Sequence, residues 1–466
     1  MNVVHVPFGY FPDAVGGTEV YVAELARGLT AHGVSSVIAA PAVGDAGRYE
    51  HDGIPVHRFA VAPARDVAEL YGDGDDASAR AIATIVDEAH ADVLHLHAFT
   101  RAASVRAARL ARARGAAVVF TYHTPTASCV RGTLVRDGEV PCDGALIADR
   151  CAACLLQSRG VPLAARRALA QAPAALGHAI GRLTGGSIGT ALRVRELTAL
   201  RHRAFEQLLD ECDAVVAVCD WVRALLIRAG ASPDRLVLSR QGTPAALPAA
   251  PHRQASDTTR LAFVGRLHPT KGVHVAIRAI VEEPELPVSF DVYGVIQDAE
   301  GDRYLDELLA LGDRDPRIRF APPVPASRVV ETLGRYDATV VPSQWLETGP
   351  LTILESFAAG VPVIGSNLGG IAELVSHDRD GWLVPYGDLS AWRSALRRIA
   401  TDRALAERLA DGVRPPRTTA DVARDMADLY RSIVPGTDAI GLGDQLLRTR
   451  VVPKHPAGRA APLGAA

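Results

Sequence analysis

Short runs of β-branched residues alternate with helical patterns along this chain, and the alternation begins twice. In the first half, Val3–Val6, Val37–Ala40, Val93–Leu96, Ala117–Tyr122, Ala214–Val218 and Leu236–Ser239 read as strands. Helical patterns run from Gly17 to about Ala31 and over Ala77–Ala89, Ala102–Arg114 and Trp221–Ala229. A Pro/Ala/Ser/Thr-rich stretch at 243–259 then reads as a linker. Strands restart at Leu261–Val264, Val288–Tyr293, Ile318–Phe320, Ala338–Val341 and Val361–Ile364. Helices are expected between them at Val273–Val281, Arg303–Leu311, Ser327–Leu333 and Leu351–Ala359. Repeated β-α units bury both faces of a parallel sheet, so the expected class is α/β with two Rossmann-like, doubly wound domains. The expected division is 1–245 and 256–415, then a helix over 416–434 packing back on the first domain. Residues 435–466, rich in Gly, Pro, Ala and Arg, read as a poorly ordered tail.

A length of 466 residues and a 48% hydrophobic composition support two large cores. The net charge of -3 leaves no basic stripe for nucleic acid. Abundant Ala, Arg and Gly with scarce Lys suggest a GC-rich bacterial gene. The start, MNVVHVPF, runs straight into a strand pattern, so no signal peptide is expected. No apolar run reaches ~18 residues, so no membrane span is expected either. The expected location is cytoplasmic, with reduced or metal-bound cysteines. The Ala/Leu/Arg-rich helical region 160–208 suits packing on the first domain, a mobile acceptor lid, or peripheral contact with a membrane face.

Four places carry chemistry. Glu347 sits in a loop at a strand's C-terminal end, and Glu355 about one turn inside the helix that follows Gly349-Pro350. Ligands of open α/β sheets bind at that edge, and a helix start offers N–H groups to an anion. Carboxylates on either side of such a site suit sugar hydroxyls. Arg266 and Lys271 follow the first strand of the second half in GRLHPTKG, beside Gly265; a guanidinium and an ammonium suit a diphosphate. Gly16-Gly17 precede the first helix in a phosphate-loop position, although the G-x6-GG spacing is not the dinucleotide fingerprint. Cys129, Cys142, Cys151 and Cys154 form C-x12-C-x8-C-x2-C, whose C-A-A-C end is a zinc-knuckle element. The quartet is a candidate structural zinc site within an insert at 125–155; four unlinked thiols are the alternative. Cys212 and Cys219 flank a strand and are expected to be buried.

Four stretches together resemble the family 4 retaining glycosyltransferases of the GT-B fold, across roughly residues 1–430. They are GGTEVYVAELARGLTAHGV, DVLHLHAF, FVGRLHPTKGVHVAIRAI and ETGPLTILESFAAGVPVIGSNLGGIAELV. A subset of that family carries a similar cysteine-bearing insert. The resemblance implies two domains facing across a cleft, a nucleotide-diphosphate sugar as donor, and no cofactor or metal for catalysis. It implies that Arg266 and Lys271 hold the diphosphate and that Glu355 takes the nucleotide's ribose hydroxyls. Glu347 then contacts the sugar ring, and the backbone of Gly349, Pro350 and Leu351 lies against sugar and phosphate. Gly16 and Gly17 contact the donor diphosphate or an acceptor phosphate, and the base lies near Val324. His123 faces the donor's sugar carbons, although Thr124 stands where the family usually has Asp. Gln241-Gly242-Thr243 likewise departs from the commoner Asn-Gly hinge pattern. His95 and His97 are expected to pack in the core or rim, Glu19 to complement a helix dipole, and Gly369-Gly370 and Glu373 to support the site.

The implied activity is hexosyl transfer with retention by a front-face path. A glycoside phosphorylase or hydrolase, or a non-catalytic sugar-nucleotide-binding protein, remains as the alternative. The base, the sugar and the acceptor (glycan, lipid carrier, cyclitol or natural-product core) are open at this level.

Overall fold

The computed structural model describes residues 1–434 apart from 14, 15, 43, 45, 65, 174, 176, 180–185 and 245–255. The tail at 435–466 and most of the linker lie outside the described residues.

The first sheet is built from β1 (Asn2–Val6), β2 (Ser35–Pro41), β3 (Gly47–His51), β4 (Ile54–Phe59), β5 (Val93–Leu96), β6 (Ala117–Tyr122), β9 (Ala214–Ala217) and β10 (Leu236–Leu238). Two short strands between them, β7 (Val135–Arg136) and β8 (Val140–Pro141), pair with each other in the cysteine insert. The eight-stranded order is β10-β9-β6-β5-β1-β2-β4-β3, parallel except for β3 against β4. Successive side chains alternate across this sheet. Val3, Ile38, Val93 and Val119 face the first helix, Gly17–Thr30; Val4, Leu94 and Phe120 face the helices Asp76–Glu88 and Val194–Glu211.

The second sheet takes β11 (Thr259–Arg266), β12 (Val288–Val295), β13 (Ile318–Ala321), β14 (Ala338–Val341), β15 (Val363–Ser366) and β16 (Gly381–Val384). It is wholly parallel in the order β13-β12-β11-β14-β15-β16. The strand order reverses between β11 and β14, which makes the loops after them the walls of a crevice. The last helix, Thr419–Ile433, starts with a capping box between Thr418 and Asp421 and returns to the first helix. Gly28 makes that approach: a Cβ there would lie 2.8 Å from the Ala423 Cβ.

The hairpin β3–β4 is absent from the sequence reading. Its strands, GRYEH and IPVHRF, are short, polar-rich and interrupted by Pro55, which conceals their alternation. The signal was in the turn, where Asp52 and Gly53 both take positive φ, 50° and 77°, as a two-residue hairpin requires.

Candidate active site

The loop after β11 and the loop after β14 are tied directly together, with Gln344 N donating to Thr270 O at 2.6 Å. Gly272, at φ 71°, permits this, since a Cβ there would lie 1.9 Å from Pro342 O. The tie places the Lys271 ammonium 2.6 Å from Glu347 Oε1 and 5.3 Å from the centre of the Trp345 ring. Ser343 Oγ donates to the same carboxylate oxygen at 2.8 Å. Burial alone would raise the Glu347 carboxyl, but the Lys271 charge and these hydrogen bonds hold it below the usual range. Arg266, at the end of β11, lines the same cleft and has no hydrogen-bond or ion-pair partner among the described residues.

Glu347 is propped from behind by the helix Gly369–Leu374. Gly370 N donates to Glu347 O at 2.6 Å, and a Cβ on Gly370 would lie 2.8 Å from that oxygen. Only glycine fits there, which gives the Gly369-Gly370 pair its reason. Gly349, Pro350 and Leu351 lead into the helix Leu351–Ala358, whose first residues line the cleft. Glu355 lies one turn further on the face of Leu351. It is half-buried, its carboxylate has no partner among the described residues, and burial pushes it up to about 7. Val324 lines the far end of the cleft and packs on the cluster around Val330 and Tyr336.

The opposite wall comes from the first sheet. Gly16 and Gly17 face the second domain closely enough that a Cβ on Gly17 would lie 3.6 Å from Leu351 Cδ1. Glu19 is buried, accepts from Gly16 N at 2.8 Å, and is raised by burial; it closes the loop around the glycines as well as suiting the helix start. His123 follows β6, lines the cleft, and is driven down to about 3 by burial. Its carbonyl accepts from Thr348 Oγ1 at 2.6 Å, joining the two walls. Gln241 also lines the cleft, and Thr243 pairs with Thr418, so the departure from the Asn-Gly pattern still forms a hinge contact. The cleft measures about 760 Å³, within the usual range for small-molecule sites.

A second joint lies beside it. The Glu373 carboxylate accepts from the backbone N–H groups of Asp220 (2.8 Å) and Trp221 (2.7 Å) and from Arg240 Nη1 (2.9 Å). It therefore caps the helix Asp220–Arg228 of the first domain from the second. Trp221 Nε1 completes the joint by donating to Glu347 O at 2.9 Å. Arg240, Trp221, Thr348 and Trp345 were not singled out in the sequence; their roles come from residues brought together only by the facing domains.

The four insert cysteines are free thiols bordering one cavity of about 20 Å³, room for one water-sized body. Among the described residues, the group with three ligand atoms within 4.8 Å of one another is His5, His95 and His97, not the cysteines. Every trio of the sulfurs thus has at least one separation beyond 4.8 Å, wider than the roughly 3.8 Å edges of a ZnS₄ tetrahedron with ~2.3 Å bonds, so the expected zinc site is not preformed. The insert reaches the cleft through Arg131 and Thr133. Cys212 and Cys219 are buried. No helix among the described residues is long and apolar enough to cross a membrane.

Two facing sheets, parallel except for β3, with a crevice between them define the GT-B architecture. A model described as glycosyl transferase 4-like domain matches residues 16–242, and one described as glycosyl transferases group 1 matches 249–414. The chain belongs to the family 4-like glycosyltransferases of the GT-B fold. It is 32% identical over 263 residues to the D-inositol 3-phosphate glycosyltransferase of Geodermatophilus obscurus, covering 50% of this chain and 58% of that one. It is 29% identical over 257 residues to the protein of the same name from Corynebacterium glutamicum, covering 51% and 61%. The chain thus spans less than two thirds of the curated relatives it matches. Among solved structures it resembles sucrose-phosphate synthase from Thermosynechococcus elongatus, with a TM-score of 0.63, 19% identity, and coverage of 93% and 98%. It also resembles Anabaena Alr3699/HepE in complex with UDP and glucose, with a TM-score of 0.61, 15% identity, and coverage of 93% and 100%.

Proposed function

We propose that this protein is a retaining glycosyltransferase moving a hexosyl-type group from a nucleotide-diphosphate sugar to an acceptor hydroxyl in the cytoplasm. The observation that carries this reading is the meeting of three groups at the switch point of the second sheet: the unpaired Arg266 guanidinium, the Lys271–Glu347 pair and the helix start at Leu351. The unpartnered Glu355 carboxylate lies one turn further along that helix, behind the residues that line the cleft. Arg266, Lys271 and the helix start hold the diphosphate and the charge that grows on it as the sugar leaves. Glu355 takes ribose hydroxyls, Glu347 the ring hydroxyls, and Val324 packs against the base. Gly16, Gly17 and His123 meet the donor from the other wall.

Glu347 Oε1 is already held by Lys271 and Ser343, which supports a hydroxyl-binding role rather than attack on carbon. In the front-face path, the acceptor oxygen forms its bond to the anomeric carbon on the side from which the phosphate leaves. The departing phosphate oxygen takes the acceptor's proton. Positioning and fixed charge supply the rate. The test is nucleotide diphosphate release from UDP-, GDP- and ADP-sugars, wild type beside Glu355→Ala, with the product's anomer read by NMR. A cyclitol phosphate, the substrate class in the relatives' names, is the first acceptor to try. Inversion, or sugar phosphate released without nucleotide, refutes the reading.

A structural zinc at Cys129, Cys142, Cys151 and Cys154 belongs to the same proposal. Its support is the convergence of four thiols on one ion-sized cavity beside the hairpin β7–β8, with the metal drawing the sulfurs inward. One zinc per chain, lost in Cys142→Ser, supports it; metal-free protein with four titratable thiols in the insert refutes it.

A further inference from the structure

A row of three imidazoles and one hydroxyl crosses four adjacent strands of the first sheet and ends at His123, which lines the cleft. Ser36 on β2 lies 3.3 Å from His5 Nε2 on β1. His5 Nδ1 lies 3.0 Å from His97 Nε2, just beyond β5, and His97 Nδ1 lies 3.1 Å from His123 Nε2, just beyond β6. The rings of His5 and His97, and of His97 and His123, are stacked with centroids 5.3 Å apart. All three histidines and Ser36 are buried, and the one polar ring atom left over, His123 Nδ1, is buried without a partner. Neighbouring groups do not interrupt the row. His95 is occupied by Tyr430 Oη at 2.6 Å and Thr121 Oγ1 at 2.7 Å, and Tyr21 packs edge-on against His123.

We propose that Ser36, His5 and His97 form an uncharged hydrogen-bonded line that fixes the His123 ring and presents its Nδ1 to a hydroxyl of the bound sugar or acceptor. His5 and His97 are then positioning residues for the transfer reaction, and this role rests on the function proposed above. Each neutral imidazole in the row must donate at one nitrogen and accept at the other. The three rings therefore share one tautomer. If His97 donates at Nδ1 to His123, then His5 also donates at Nδ1, and His123 carries its proton on Nδ1. Run in the other direction, all three carry it on Nε2 and His5 donates to Ser36. The remaining atom, His123 Nδ1, is a donor in the first case and an acceptor in the second. A hydroxyl answers either, whereas a fully ionised phosphate answers only a donor. Burial of every ring supports the uncharged state, since it lowers all three pKa values.

The first test uses the full ligand-free chain labelled with ¹⁵N-histidine, with resonances assigned by single substitutions. The expected result is one common tautomer for His5, His97 and His123, unchanged between pH 5.5 and 8. Mixed tautomers, or any of the three titrating near 6.5, overturn the line. Since no substrate is present, this result stands apart from the proposed activity. The second test is kinetic. His5→Phe, which touches no ligand, and His97→Phe should each lower kcat/KM roughly ten- to hundredfold while nucleoside diphosphate affinity stays constant. His97→Asn should recover part of the loss. In a His123→Phe background, His97→Phe should cost nothing further. Unchanged kinetics in His5→Phe and His97→Phe, or fully additive losses, would mean that the rings only pack.

Discussion

Glu355→Gln is expected to make the ligand-free protein more stable at pH 8 than the wild type. The Glu355 carboxyl is shielded in the helix Leu351–Ala358, meets no partner among the described residues, and is pushed by burial from 4.5 to about 7. A folded-state pKa above the unfolded one means that folding favours the protonated acid. The stability it contributes is intact below about pH 4.5 and is lost as pH rises through about 7. The shift corresponds to a penalty of about 1 kcal/mol at pH 5 and about 3 kcal/mol at pH 8. For a domain of this size, that is on the order of 6–12 °C in melting midpoint at pH 8. Calorimetry of both proteins at pH 5, 6.5 and 8 reads it directly: the gap should widen with pH and favour Glu355→Gln. Ribose hydroxyls donating to the carboxylate would lower its pKa. Nucleotide affinity of the wild type should therefore weaken as pH falls below about 7, while that of the variant stays flat. A gap that does not change with pH, or a variant less stable than wild type at pH 8, refutes the reasoning. It would mean that the carboxylate is already satisfied before any nucleotide arrives.

Arg266→Ala should lower kcat/KM by roughly 10²–10³ with its melting midpoint nearly unchanged, because the guanidinium makes no hydrogen bond or ion pair among the described residues. Lys271→Ala strands Glu347, which is 7% exposed at its side chain, and should cost about 3 kcal/mol in denaturant unfolding; adding Glu347→Gln should recover part of it. Gly370→Ala places a Cβ 2.7 Å from the Thr348 carbonyl carbon. It should cost about 1–3 kcal/mol by calorimetry and raise the donor KM by displacing Glu347.

The parts of the site that were legible in the sequence are those set by one strand, one loop and one helix. Arg266 at the end of β11 and Leu351 at a helix start follow from the β-α pattern and the Gly-Pro turn, and the structure brings both to one cleft. Hidden from the sequence was whatever depends on strand order. His5, His97 and His123 are spread over more than a hundred residues and meet only because β1, β5 and β6 are neighbours. Glu373 read as supporting structure beside the site, and its contacts with Asp220 and Trp221 cross between domains. The cysteines are a different case: their spacing suggested a metal site, and the thiols border one cavity without closing on it.

The helix Gly369–Leu374 has two ends with different duties. Its glycines brace the carbonyl of Glu347, and its Glu373 grips a helix of the other domain. Separating the domains therefore leaves the N–H groups of Asp220 and Trp221 without their acceptor, leaves Arg240 with Asp220 alone, and frees the loop that bears Glu347. Any ligand that orders the Glu347 loop would therefore tighten the clasp by the same free energy that the clasp lends to the ligand. The clasp is ionic and partly exposed, with Glu373 and Arg240 side chains 20% and 34% accessible, so dissolved salt competes with it. On the function proposed above, ionic strength then acts as a second effector, loosening the cleft from a joint outside it.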